Sequence, residues 1–110
     1  MVFRILDATA FYAGIPFVSN DSFMTTSIVY EEIQHIKTKQ GALEMLQQTN
    51  RLQIRDPSEK NINIVKDISI KTGDNSTISK QDVSIIALAL ENNCELITDD
   101  FAVTNVAKQL

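Results

Sequence analysis

Residues 79–100 read SKQDVSIIALALENNCELITDD, and their reading decides the fold. Ser79 followed by Asp82 resembles a capping box with Asp in place of the usual Glu or Gln. From Asp82 the pattern is helical. Val83, Ile86, Ala87 and Leu90 share one face, and Ile85, Leu88 and Ala89 cover much of the rest, so this helix is expected to be buried on most sides. Asn92-Asn93 ends it. Leu96 and Ile97 then form a short strand that stops at Asp99 and Asp100. A helix joined to a strand by so short a turn runs antiparallel to it. The start of the helix, with Asp82, therefore lies at the carboxyl end of the strand.

Working outward, the same alternation recurs. Val2–Leu6 reads as a strand followed at once by Asp7, and ATAFYAG as a short helix ended by Gly14. IPFVSNDSFMTT is a loop or short strand with turn residues. From Ser27, a candidate cap, Val29, Ile33 and Ile36 recur at helical spacing. A helix is expected over Ala42–Gln48, a strand around Leu52 and Ile54, and an amphipathic helix over Glu59–Lys71 broken at Thr72-Gly73-Asp74-Asn75. Phe101–Lys108 forms a terminal helix. Strands alternating with helices predict an α/β fold. It has three layers, α/β/α, around a parallel sheet of about four strands, in one domain spanning residues 1–110.

Composition narrows the function classes. The chain has 110 residues, 44% hydrophobic and 22% charged, an ordinary globular balance. No apolar run approaches the ~20 residues of a membrane span, and MVFRILD has no signal-peptide pattern. One cysteine, Cys94, leaves no internal disulfide and no cysteine-based zinc site. These features predict a cytoplasmic protein. A net charge of −4 argues against gripping nucleic acid by bulk electrostatics, but a carboxylate cluster that holds a cation also makes a chain acidic.

Ligands of open parallel sheets bind at the carboxyl ends of the strands. Asp7, Asp99 and Asp100 close strands there. Asp82 opens a helix there, and Glu31 and Glu32 lie in a helix beginning near the same edge. Each has a simpler reading: Asp7 as a helix cap, Asp82 as a dipole complement, Asp99 or Asp100 as a cap, and the glutamates as a solvated face. Jointly, acids at one rim, with no basic residue beside Asp7, Asp99 or Asp100, would repel each other strongly unless a cation sits among them. Hard oxygen ligands suit Mg²⁺ or Mn²⁺, which can activate water and stabilise a phosphoryl transition state.

Together these residues resemble the PIN-domain nucleases. The family pattern is a strand ending in Asp, a helix carrying Glu, a buried helix opening Ser-x-x-Asp, and a strand ending Thr-x-Asp. Here these are ILDAT, SIVYEEI, ISKQDVSIIALAL and LITDDF. The resemblance implies catalytic Asp7, Glu32, Asp82 and Asp100, the same four acids plus Asp99 around the metal, and a divalent-metal-dependent endoribonuclease. LDATAFYAG, TTSIVYEEI and ITDDFAVTNVAKQL are most similar to the Nob branch, which trims the 3′ end of small-subunit ribosomal RNA precursors. Single-stranded RNA and the pre-ribosomal small subunit are then the expected partners. The alternatives are a VapC-type toxin paired with an antitoxin, or an inactive scaffold. The Nob branch also carries a C-terminal zinc ribbon, and PIN sheets a fifth strand after the last helix. Here Cys94 is the only cysteine and the sequence stops at Leu110 before such a strand, so the expectation is either a truncated chain or a minimal relative.

Lys37, Lys39, Ser79 and Thr98 are candidates for contact with RNA or a bound water. The simpler readings are solvated charges for the lysines and helix capping for Ser79. His35 is the only histidine. It is expected to be an ordinary surface or rim residue, Asp74 a turn residue, and Cys94 a small buried hydrophobe.

Overall fold

A computed structural model describes residues 3–34, 40–98 and 101–110. The elements run β1 (Phe3–Leu6), α1 (Ala8–Tyr12), α2 (Ile15–Val18), β2 (Ser22–Thr25), α3 (Ser27–Ile33), α4 (Gln40–Gln48), β3 (Leu52–Ile54), α5 (Glu59–Thr72), α6 (Lys80–Asn92), β4 (Glu95–Ile97) and α7 (Phe101–Ala107). The four strands are parallel, in the order β3-β2-β1-β4. In register, Ile5 lies between Met24 and Leu96, and Leu6 faces Ile97.

Ile5 and Leu6 point to opposite faces of the sheet, and both are fully buried. Helices must therefore cover both faces, as parallel sheets require. The connections β1→β2→β3 step one way across the sheet, and β3→β4 returns the other way. Right-handed crossovers then put α1–α4 on one face and α5–α6 on the other. The buried apolar residues form two clusters. One cluster joins Ile5, Leu6, Phe11, Phe23 and Leu43. The other joins Val65 of α5, Ile86 of α6, and Val103 and Val106 of α7. Ile85 and Leu88 extend α6 into the first cluster. Residues 83–88 are buried without interruption, as the sequence predicts for this helix.

Local chemistry sets the boundaries. Gly73 ends α5 and Asn93 ends α6, both in the left-handed conformation (φ 79° and 52°) that offers the last carbonyls a partner. Two expectations need correction. The cap of α3 is Thr26, whose side chain accepts from the Val29 N–H; Ser27 is the first helical residue. The segment after Gly14 is not only loop and strand. Gly14 at φ 80°, followed by Ile15-Pro16, opens a single helical turn, because proline is pre-set for a first turn. Strand β2 follows.

Candidate active site

Asp7 follows β1 directly and caps α1. Its Oδ1 accepts from the Ala10 N–H at 2.9 Å and the Thr9 hydroxyl at 2.7 Å. Its Oδ2 accepts from the Thr98 hydroxyl at 2.5 Å. The side chain is 4% exposed, so a carboxylate is buried and held by three donors, which is how a buried acid is tolerated. Thr98 follows β4 directly. The contact therefore sits between β1 and β4, where strand order reverses. That topological switch point is where open α/β sheets place their ligands. Asp7 is thus both a cap and a residue of the carboxyl rim, and the Thr98 hydroxyl is its partner.

Asp82 stands at the third position of α6. Its Oδ2 accepts from the Ser79 N–H at 3.0 Å, and the Ser79 hydroxyl accepts from the Asp82 N–H at 3.0 Å. The capping box read from the sequence is complete. The Ser79 hydroxyl oxygen is thereby engaged in capping. Asp82 is partly exposed, and Oδ1 carries no hydrogen bond among the described residues.

The helix starts at this rim are tied to each other by groups that sequence reasoning missed. The Ser84 hydroxyl donates to the Gln81 carbonyl at 2.6 Å. Its one proton is then committed, so in the 2.8 Å contact with Thr26 the threonine hydroxyl must donate. Thr26 is fully buried. A chain of hydrogen bonds thus runs from the α3 cap into the first turn of α6. Asp56, just after β3, accepts from both the N–H and the hydroxyl of Ser27, fixing the start of α3 from the other side. An exposed Asp before Pro57 gave no signal of this. Its partner lies 29 residues away.

Glu32 and Glu31 are exposed on α3. Among the described residues, no three acids, histidines or cysteines are close enough together to hold a metal ion. The fold brings Asp7 to Thr98, but Asp7, Glu32 and Asp82 do not form such a group by themselves. Asp99, Asp100, His35, Lys37 and Lys39 lie outside the described residues. Asp74 is the turn residue expected, and its carboxylate also accepts from the Asn105 amide of α7 at 2.6 Å. Cys94 is half-buried beside the core.

Charge is distributed unevenly. The ion pairs among the described residues are Arg4 with Asp21 and Arg4 with Glu95, all near the strand starts. The carboxyl rim has acids and, among the described residues, no paired cation. Among the described residues no helix is long and apolar enough to cross a membrane.

Comparison with known proteins agrees with this arrangement. The family described as the PIN domain of ribonuclease matches residues 5–91. The chain is 38% identical to the endoribonuclease Nob1 of Methanocaldococcus jannaschii, over 100% of this chain and 54% of the relative. It is 35% identical to the 20S-pre-rRNA D-site endonuclease NOB1 of Saccharomyces cerevisiae, over 73% of this chain and 17% of the relative. It is 29% identical to the ribonuclease VapC3 of Aeropyrum pernix, over 96% of this chain and 79% of the relative. The chain thus spans about half the length of the Methanocaldococcus protein. With a parallel four-stranded α/β/α fold, an aspartate at its switch point and a family match over residues 5–91, this chain belongs to the PIN-domain ribonucleases.

Proposed function

We propose that the chain is the nuclease domain of a divalent-metal-dependent endoribonuclease that matures the 3′ end of a small-subunit ribosomal RNA precursor. The observation that carries the reading is Asp7, buried at the switch point and hydrogen-bonded to Thr98. Asp99 and Asp100 follow Thr98 directly in the chain. The donor chemistry fits Mg²⁺ or Mn²⁺. Asp7 Oδ2 accepts one hydrogen bond and Asp82 Oδ1 none among the described residues, so both oxygens keep capacity for a hard cation. Asp7, Glu32, Asp82 and Asp100 would hold it, with Asp99 beside them. When bound, such an ion lowers the pKa of water and neutralises charge on a phosphate.

The chain's own residues supply the rest. Thr98 and the α1 amide fix Asp7 in one orientation before substrate arrives. The Thr26–Ser84 contact fixes α3 against α6, and with them Glu32 relative to Asp82. In the hydrolysis, water adds to phosphorus as the bond to the 3′ oxygen breaks. The leaving oxygen takes a proton, giving a 5′-phosphate and a 3′-hydroxyl. A route through the 2′-hydroxyl uses paired acid and base groups, classically two histidines, and His35 is alone.

Support for the ribosomal substrate is the match over the whole chain to an archaeal Nob1 and the likeness to a yeast enzyme named for pre-rRNA. The pre-ribosomal small subunit is then the partner. A toxin ribonuclease held by an antitoxin is the second reading, supported by the likeness to the Aeropyrum VapC3 over 96% of this chain.

The test is a labelled RNA spanning the 3′ end of the small-subunit precursor, incubated with Mn²⁺ or with EDTA. The proposal expects cleavage near the mature end with Mn²⁺ alone, leaving a 5′-phosphate. Cleavage that survives EDTA contradicts it. Efficient cutting of tRNA with none of the precursor favours the toxin reading, and no cutting of any RNA favours an inactive scaffold.

A further inference from the structure

One face of α5 and the first two turns of α6 enclose a groove of about 620 Å³, within the usual size of a small-molecule site. Its floor is aliphatic: Ile28 of α3, Ile62 of α5, Ile78 before α6, and Val83 of α6. Ile70 extends this surface and is 63% exposed. Two ammonium groups, Lys66 and Lys80, line the same groove. Neither is in an ion pair among the described residues. One carboxylate, Glu59 in the first turn of α5, also lines the groove.

The groove is continuous with the candidate active site. Ser79, Lys80, Val83 and Ser84 line it, and they bracket Asp82. Ile28 stands four residues before Glu32, so the two share one face of α3.

We propose that the α5–α6 groove is a nucleotide subsite, which takes one base of single-stranded RNA on its aliphatic floor and the flanking phosphates against Lys66 and Lys80. The inference rests on the ribonuclease reading of the adjacent acids. Apolar floor and paired cations together match a nucleotide, which carries a flat apolar face and an anionic backbone. The hydroxyls within the groove have committed their protons or their oxygens. Ser69 donates to the Lys66 carbonyl, Ser84 to the Gln81 carbonyl, and the Ser79 oxygen caps α6. The aliphatic floor can pack against any base, so binding is expected to tolerate any base, and the Asn75 amide and the Ser79 hydroxyl proton, which also line the groove, are left to contact base edges.

The test uses the whole chain, ¹⁵N-labelled, titrated with hexauridylate and with hexaadenylate in EDTA, so that no cleavage intervenes. Amide signals of Ile62, Lys66, Ile70 and Val83 should shift with both. Affinity is then measured by fluorescence anisotropy across a salt series, for wild type and for Lys66→Ala/Lys80→Ala. Both lysines are exposed, so the variant folds, and an unchanged melting curve verifies it. Binding should weaken several-fold, and the slope of log affinity against log salt should fall by about 1.4, from about 0.7 per lost phosphate contact on a single strand. A merely structural change would leave that slope alone. Shifts confined to other residues, or an unchanged slope, overturn the proposal and leave the groove to a protein partner or a second copy of the chain. The two readings fail separately. A wild type that cuts RNA with Mn²⁺ while the variant binds normally sinks the subsite alone. A wild type that shifts at the groove but never cuts RNA sinks the nuclease reading.

Discussion

Replacing Asp82 separates its two roles. As the third residue of α6 it accepts the Ser79 N–H at 3.0 Å, and as a rim acid it is proposed to help hold the metal. Asp82→Ala removes the acceptor and leaves the Ser79 N–H to water. The loss of such a cap is worth about 1 kcal/mol, which in a domain near this size lowers the melting temperature by about 4 °C. Asp82→Asn keeps an oxygen in the same place, so the hydrogen bond survives. What it loses is the interaction of a negative charge with the helix dipole, about 0.3–1 kcal/mol. Wild type should therefore melt highest and Ala lowest, with Asn between. Both variants remain folded at 25 °C, because stabilities of small domains are about 5–15 kcal/mol. Cleavage of labelled RNA with Mn²⁺ should nevertheless fall by more than about tenfold in Asn and Ala alike, a loss equivalent to about 1.4 kcal/mol of transition-state stabilisation. Full activity in Asp82→Asn would mean that capping is the whole role of this residue. An unchanged melting temperature in Asp82→Ala would refute the capping account.

Three further outcomes follow from other contacts. Thr26→Val removes the α3 cap and the buried bond to Ser84 together, and urea denaturation should show a loss of about 1–2 kcal/mol. Leu88→Ala empties a fully buried position of α6; the expected loss of about 2–5 kcal/mol should leave the domain close to unfolding at 37 °C by circular dichroism. The Ser58 N–H, with the Asn61 amide, holds the Glu91 carboxyl below its ordinary range. A depressed pKa means that Glu91 stabilises the fold above the ordinary glutamate range and loses that contribution as pH falls through its folded value. The stability difference between wild type and Glu91→Gln should be full at neutral pH and shrink on acidification below that range, measured as urea midpoints.

What the sequence made legible was local. The Ser79–Asp82 box lies within four residues, and both of its bonds form. The strand before Asp7 and the buried run 83–88 were visible as periodicity. What stayed hidden depended on distant partners. Thr26 and Ser27 are adjacent hydroxyls, and either suits a cap. The choice falls to Thr26, whose oxygen also meets Ser84, 58 residues on. Asp56 meets Ser27 from 29 residues away. Asp7 was read both as a cap and as a rim acid. The cap is a three-residue contact to Ala10, whereas the partner at the rim, Thr98, is 91 residues distant. The sequence predicted a parallel sheet but carried no signal for the order β3-β2-β1-β4, which long-range pairing decides and which puts Asp7 at the switch point. The helical turn at Ile15–Val18 was missed because glycine and proline signal a loop and a first helical turn alike.

The central claim is that a divalent cation binds at the carboxyl rim, and paramagnetic broadening by Mn²⁺ tests it most directly. Substoichiometric Mn²⁺ added to the ¹⁵N-labelled chain should broaden the amide signals of Asp7, Glu32, Asp82 and Thr98 first, and Asp7→Asn should weaken the effect at all of them together. Mg²⁺ in excess should restore the signals. Broadening confined to remote acids such as Glu44 or Asp67, or broadening at the rim that Asp7→Asn leaves untouched, would contradict the account.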